Sequence, residues 1–269
     1  MSVSPLLNAA PRIGSGTWQL KGDACYESVR TALRTGYRHI DTARMYGNEE
    51  QVGRAIADAE VSRDDLFVAT KLWHDELSPA DVEEHALESR DRLQVETIDL
   101  LYVHWPVGTY DAAATLPALE QLRADGIVEH VGLSNFTPPL LSEAVRIMEK
   151  PPLALQLEMH PFLQQRELHK MALEHDMYLV AYSPLKRADG LNDPVLEEIA
   201  DEMNATPAQV CLAWHLSKNS VCPIPKSSDP EHIRQNFEAR DLQLSDAQLQ
   251  RINDLDAGDR AIDPSFAPW

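Results

Sequence analysis

The 269 residues, 43% of them hydrophobic, suffice to build one sizeable core. No apolar run approaches the about 18 residues that suggest a membrane span, so a membrane protein is not expected. Forty-three acidic against 24 basic residues give a net charge of −19, spread along the chain, which argues against a nucleic-acid partner. Among the basic residues, seven lysines face seventeen arginines, and with the dispersed carboxylates this suggests a surface adapted to concentrated salt, where self-repulsion is screened. Cys25, Cys211 and Cys222 lack the CxxC spacing of a zinc or redox site and read as small buried hydrophobes. The opening MSVSPLLNAAPRIGSG has no basic segment followed by a long apolar stretch, so a cytoplasmic protein is expected.

Along the chain, short β-branched or apolar runs alternate with stretches of helical period. Strands are predicted to end near Trp18, Asp41, Lys71, His104, Asn135, His160, Ser183 and Pro225. The first, RIGSGTW, is the weakest because its glycines dilute the pattern. Helices are predicted over 24–35, after Asn48, from Ser78 through SPADVEEHALESRDRL, and over 114–124, 137–149, 166–175, 192–202, 206–217 and 229–238. Ser78 suits a helix cap with Pro79 in the first turn. A further helix over 245–254, capped by Ser245, precedes a short tail. Eight strand–helix alternations without a linker or a change of composition predict an α/β chain folded as a single (β/α)8 barrel domain over 1–269.

In such a barrel the polar residues at the C-terminal strand ends share one mouth. Asp41 ends a strand, Tyr46 follows in its loop, and Lys71 and His104 end the next two strands. This set suits carbonyl reduction. Delivery of hydride to a carbonyl leaves negative charge on oxygen and calls for a proton donor. A free tyrosine, with a pKa of about 10, is a weak one. A lysine ammonium beside Tyr46 is expected to lower that value, with Asp41 holding Lys71 and His104 orienting the carbonyl oxygen.

Strings over nearly the whole chain resemble the aldo-keto reductase superfamily: GTW at 16–18, GYRHIDTARMYGNEEQVGRAI at 36–56, KLW at 71–73, DLLYVHWP at 99–106, VGLSNF at 131–136, QLEMHP at 156–161, AYSPL at 181–185 and IPKSSDPEHIRQNF at 224–237. The resemblance is closest to compact microbial members of the diketogluconate-reductase kind. It implies a catalytic tetrad of Asp41, Tyr46, Lys71 and His104. It also implies a nicotinamide cofactor, with Ser134, Asn135 and Gln156 on the carboxamide, Tyr182 under the ring, and Thr17, Trp18 and Asp41 nearby. Ser183 and Leu185 fall in the pyrophosphate stretch, Lys226 and Ser227 at the adenosine 2′-phosphate, and His232, Gln235 and Asn236 around the adenine. NADP(H) is therefore expected over NAD(H), with both usable. His232 stands where NADP-preferring relatives commonly carry arginine, and imidazole cannot reproduce the guanidinium fork. Trp18, Trp73 and Trp105, with Tyr46 and His104, are expected to line the substrate pocket.

The implied partner is a small carbonyl compound or its alcohol, and the implied state a monomer with no metal. Lacking the long loop after WP and the extended tail of larger relatives, the chain is expected to have an open substrate mouth. Two other readings fit parts of the sequence. His39 and His160 near strand ends suit a metal-dependent hydrolase, although no HxH or HExxH pattern accompanies them. A cofactor-binding regulatory module without turnover would keep the same fold.

Overall fold

The computed structural model describes residues 12–269. Eight parallel strands follow one another around a single sheet in chain order. They are β1 (Ser15–Gly16), β2 (His39–Asp41), β3 (Phe67–Leu72), β4 (Ile98–Val103), β5 (Val128–Ser134), β6 (Ala154–Glu158), β7 (Tyr178–Tyr182) and β8 (Val221–Pro223). The helices are α1 (Gly22–Thr35), α2 (Glu49–Ala57), α3 (Pro79–Leu93), α4 (Ala112–Ala124), α5 (Pro138–Ile147), α6 (Arg166–Glu174), α7 (Pro194–Met203), α8 (Pro207–Leu216), α9 (Pro230–Glu238) and α10 (Asp246–Asn253). The fold is a (β/α)8 barrel, as expected.

Closure between β8 and β1 uses donors from one side only. Gly14 N–H donates to Pro223 O and Gly16 N–H to Pro225 O, each at 3.0 Å. A parallel ladder would return a bond from residue 225 to Gly14, but proline has no N–H to give. The seam is correspondingly tight: a Cβ on Gly16 would lie 2.9 Å from Ile224 O. The glycines that weaken the sequence signal for β1 are thus what lets the barrel close.

Strand side chains alternate between the barrel interior and the helical layer. Phe67, Ala69, Leu100, Tyr102, Ala154, Tyr178, Val180 and Cys222 pack inside the barrel. Leu72, Leu101, Val103, Leu133, Leu155, Leu157, Leu179 and Val221 pack outward against α3, α4, α5, α7 and α8. Gly132 makes room for the ring of Tyr102, since a Cβ there would lie 2.4 Å from it. Continuing the inward series to the C-terminal ends reaches Asp41, Lys71, His104, Ser134, Gln156, Glu158 and Tyr182. The period of two therefore delivers seven polar side chains to one mouth.

The helix starts follow their caps. Ser78 accepts from Asp81 N–H with Pro79 in the first turn, and Thr206 and Ser245 form capping boxes with Gln209 and Gln248. The three cysteines are buried, and loss of hydration pushes the Cys25 thiol up to about 11 and those of Cys211 and Cys222 to about 12.

Candidate active site

Lys71 is fully buried and Asp41 nearly so, and they form an ion pair with Nζ 2.5 Å from Oδ1. The ammonium also donates to Thr42 O at 2.7 Å. Asp41 Oδ2 accepts from Gln156 Nε2 at 2.8 Å, and its backbone carbonyl accepts from both N–H and Oγ1 of Thr17. Thr42 in turn donates to Asn48 Oδ1, whose Nδ2 holds Thr17 O and Leu20 O. The pair is thus held by β2, β3 and β6 and by the residues that follow β1 and β2. Burial draws the Lys71 pKa down against the opposing pull of Asp41.

Tyr46 ends a short 3₁₀ turn, Arg44–Tyr46. Its ring centroid lies 5.4 Å from Lys71 Nζ and 5.8 Å from the His104 ring. Asp41, Tyr46, Lys71 and His104 therefore meet as the sequence predicts. The expected acidification of Tyr46 is not present. Its pKa is raised well above the ordinary tyrosine value, first by loss of hydration, then by the charges of Asp41 and Tyr182. The Asp41 carboxylate beside Lys71 offsets much of the ammonium's field. His104 is held far below its ordinary value by burial, then by Lys71 and His74, and is a neutral imidazole whose Nδ1 has no partner.

Ser134, Asn135, Gln156 and Tyr182 form a second cluster on the same rim. Asn135, with φ of 63°, turns its Nδ2 onto His104 O at 2.9 Å and Ser134 Oγ at 3.1 Å, and accepts from the Tyr182 hydroxyl at 2.7 Å. Ser183, Lys186, Arg187 and Ala188 then adopt positive φ in the loop after β7. Lys226, exposed, and Ser227, half-buried, precede α9, with His232 exposed, Gln235 half-buried and Asn236 buried on that helix. Asp229, to which the sequence reading gave no role, caps α9 by accepting from Glu231 N–H and His232 N–H.

The mouth has an aromatic wall. Trp73 lies 4.9 Å from the His104 ring and 5.9 Å from Phe266, and Trp105 lies 5.3 Å from Phe266 and 5.4 Å from Trp269. Trp18 stands apart, with the Arg187 guanidinium 4.7 Å over its ring. Phe266 and Trp269 belong to the tail, so the mouth is covered on the Trp105 side rather than open. The tail is held by Glu158, a buried residue that sequence reasoning passed over. Its Oε1 accepts from Ala261 N–H at 2.7 Å and Oε2 from Ile262 N–H at 3.0 Å, while His160 Nε2 lies 3.1 Å from Oε1. Lys186 adds an ion pair with Asp259.

His39 faces the interior at the start of β2, against Phe67 and Cys222, far along the fold from His160 beside Glu158. Among the described residues no three His, Cys, Asp or Glu side chains gather as a metal-ligating group.

The parallel barrel thus carries a buried lysine–carboxylate pair, a tyrosine and a histidine together at its C-terminal mouth. The chain belongs to the aldo/keto reductase family, whose model matches residues 12–257. It is 37% identical over 259 residues to a methylglyoxal reductase, DkgB, of Escherichia coli O157:H7, covering 95% of this chain and 97% of that one. An aldo-keto reductase of Mycolicibacterium smegmatis is 38% identical over 94% of this chain and 92% of its own. Among solved structures, a putative 2,5-diketo-D-gluconic acid reductase B superposes with a TM-score of 0.93 at 32% identity, covering 96% of this chain and 92% of that one. The Bombyx mori aldo-keto reductase in complex with NADP gives 0.89 at 30% identity, covering 95% and 92%.

Proposed function

We propose that the chain reduces small aldehydes and ketones to alcohols with a nicotinamide cofactor, using Tyr46 as proton donor. The observation that carries this reading is the buried Lys71–Asp41 pair with Tyr46 and His104 packed beside it at the mouth. The neutral His104 imidazole can donate one N–H to a carbonyl oxygen placed between it and Tyr46. Lys71, fixed by Asp41 and Thr42, places a positive charge by the phenol when its proton leaves. Trp73 and Trp105 shape the apolar side of the pocket.

The residues fit a nicotinamide. Gln156 spends its Nε2 on Asp41, leaving its carbonyl oxygen as acceptor, and the Ser134 hydroxyl retains its proton as donor. These match the two ends of a carboxamide, with the Tyr182 ring as platform. A bound reduced nicotinamide would supply the hydride. Thr17, bonded to Asp41 O, and Trp18 after it would lie by the nicotinamide, Ser183 and Leu185 would meet the pyrophosphate, and Asn236 with Gln235 and His232 the adenine. Lys226 and Ser227 favour a 2′-phosphate and hence NADP(H). The Asp229 carboxylate at the α9 cap and the absence of a guanidinium at His232 keep NAD(H) usable.

The protein is proposed to act as a monomer on a small-molecule partner, without a metal, in the cytoplasm; no helix among the described residues is long and apolar enough to cross a membrane. Its charge of −19 with few lysines supports adaptation to high salt. The test is oxidation of NADPH and NADH with a panel of small aldehydes, dicarbonyls and oxo-acids, for the wild type and Tyr46→Phe, at low and high salt. Turnover lost in Tyr46→Phe with cofactor binding retained supports the reading. Cofactor binding without turnover of any substrate by the wild type overturns it in favour of a regulatory module.

A further inference from the structure

Arg44, two residues before Tyr46, is not used by the chemistry above, yet its side chain is only 7% exposed and every edge of its guanidinium is engaged. Nε donates to both carboxylate oxygens of Glu76, at 3.0 and 3.1 Å. Nη2 meets Glu88 Oε2 at 2.9 Å and His85 Nδ1 at 2.9 Å, and Nη1 donates to His85 O at 3.2 Å and approaches Ser89 Oγ at 3.5 Å. The contact with Arg44, followed by that with His85, holds the Glu88 carboxyl below its ordinary value.

Glu76 is itself built into the loop that carries Trp73. Its Oε2 accepts from Trp73 N–H at 2.8 Å, and its N–H donates to Trp73 O at 3.0 Å. One guanidinium therefore joins two loops. One holds Tyr46, the other Trp73, and both rings pack on His104, at 5.8 and 4.9 Å respectively. Tyr46, His104, Trp73, Glu76 and Arg44 form a closed circuit in which neither loop can shift without breaking a contact. The second carboxylate continues the support, since Glu88 also meets Arg92, which reaches Glu49, the acceptor of the Thr70 hydroxyl beside Lys71.

We propose that Arg44 is a positioning residue that, through Glu76, fixes the proton donor Tyr46 and the pocket wall Trp73 relative to each other. The inference rests on the reading of Tyr46 as donor. A guanidinium suits the task because its Nε serves the Glu76 carboxylate while both Nη groups reach α3 from the same rigid plane. A lysine ammonium could hold one of these partners but not both in one geometry.

The test compares Arg44→Met, Arg44→Lys, Glu76→Gln and the double variant Arg44→Met with Glu76→Gln, using methylglyoxal and benzaldehyde as substrates, with Tyr46→Phe run in parallel. Displacing reacting groups by a fraction of an ångström to one ångström lowers turnover by about ten- to hundredfold. That loss in kcat is expected for Arg44→Met, with KM for the bulkier benzaldehyde raised more than for methylglyoxal. Binding of the reduced dinucleotide, followed by fluorescence, is expected to stay within about twofold of wild type, because none of the partners lost, Glu76, His85, Glu88 and Ser89, belongs to the proposed cofactor site. Arg44→Lys should recover part of kcat, and the double variant should be no worse than its poorer parent, the sign of two residues acting as one unit. Folded Arg44→Lys and Glu76→Gln proteins with kcat and KM within about twofold of wild type, or losses that multiply in the double variant, overturn the proposal. Wild-type turnover in Tyr46→Phe would instead overturn the donor assignment. A loss in Tyr46→Phe unaccompanied by any in the Arg44 and Glu76 variants overturns the positioning role alone.

Discussion

Replacing Lys71 by methionine removes one member of a pair in which neither side chain is more than 2% exposed. The aliphatic stem is kept in volume, so packing changes little and the effect is electrostatic. Asp41 keeps the bond from Gln156 on Oδ2 but loses the 2.5 Å contact on Oδ1, leaving a buried carboxylate without a counter-charge. Breaking a buried pair in this way costs about 3–5 kcal/mol. The surviving Gln156 bond places the expected loss near the lower end, about 3 kcal/mol, or about 6–12 °C in Tm for a chain of this size. Adding Asp41→Asn removes the stranded charge, and the double variant should regain at least half of the loss. Thermal scans and urea titrations at neutral pH measure both. A Lys71→Met protein as stable as wild type, or a double variant less stable than Lys71→Met alone, would refute the claim that the pair is held by mutual compensation.

Acid stability follows from the buried histidines. Burial lowers the pKa of His39 and of His215 to about 4 and holds that of His104 well below its ordinary value. The unfolded chain binds protons on these groups below about 6.5, so it holds more protons than the native state between about 6.5 and 4. Stability should be flat with respect to these groups above that window and fall by about 1.4 kcal/mol per pH unit for each such histidine as the pH drops through it. A Tm that is level from neutrality down to the acid end would contradict this, and His39→Gln should reduce the slope. The tail gives a second expectation. Glu158→Gln replaces an acceptor of Ala261 and Ile262 N–H by an amide and forfeits charge-assisted bonds. A loss of about 1.5–3 kcal/mol at the tail corresponds to about ten- to hundredfold more opening. Tryptic cleavage at Arg260 should accelerate by that factor while the barrel's Tm moves far less, and an unchanged cleavage rate would show that other contacts hold the tail.

Every predicted strand end lies within two residues of the observed one, because the inward side of a parallel barrel keeps its parity to the mouth and polar residues interrupt the apolar series there. Asp41, Lys71 and His104 were legible for that reason. Residues whose role depends on a distant partner were not. Glu158 lies 103 residues from Ala261, and no local pattern states that a carboxylate at the end of β6 receives the tail. Its signal was the parity it shares with Gln156. Arg44 stood inside a matched string, but the partners that define it, Glu76 and Glu88, come from the following loop and helix. The weak β1 pattern reflects a seam where close backbone approach replaces side-chain packing, and a reading based on side chains registers that as noise.

A departure from the sequence expectation concerns Tyr46, and it bears on the direction of the proposed reaction. An ammonium next to a phenol lowers its pKa only to the extent that its field is not cancelled. Here Asp41 Oδ1 lies 2.5 Å from Lys71 Nζ, and the carboxylate itself raises the Tyr46 value together with the loss of hydration. The resting phenol is therefore protonated throughout the neutral range. Carbonyl reduction starts from that form, since the donor must hold a proton when negative charge develops on the substrate oxygen. Alcohol oxidation starts from the phenolate, the form that loss of hydration and the Asp41 charge disfavour here. In the proposed reaction Lys71 contributes less to the resting acidity than to the moment of transfer, when phenolate and ammonium would attract and its position, fixed by Asp41 and Thr42, would require no reorganisation. In the proposed reaction, the same electrostatics that remove the expected shift keep the donor protonated near neutral pH.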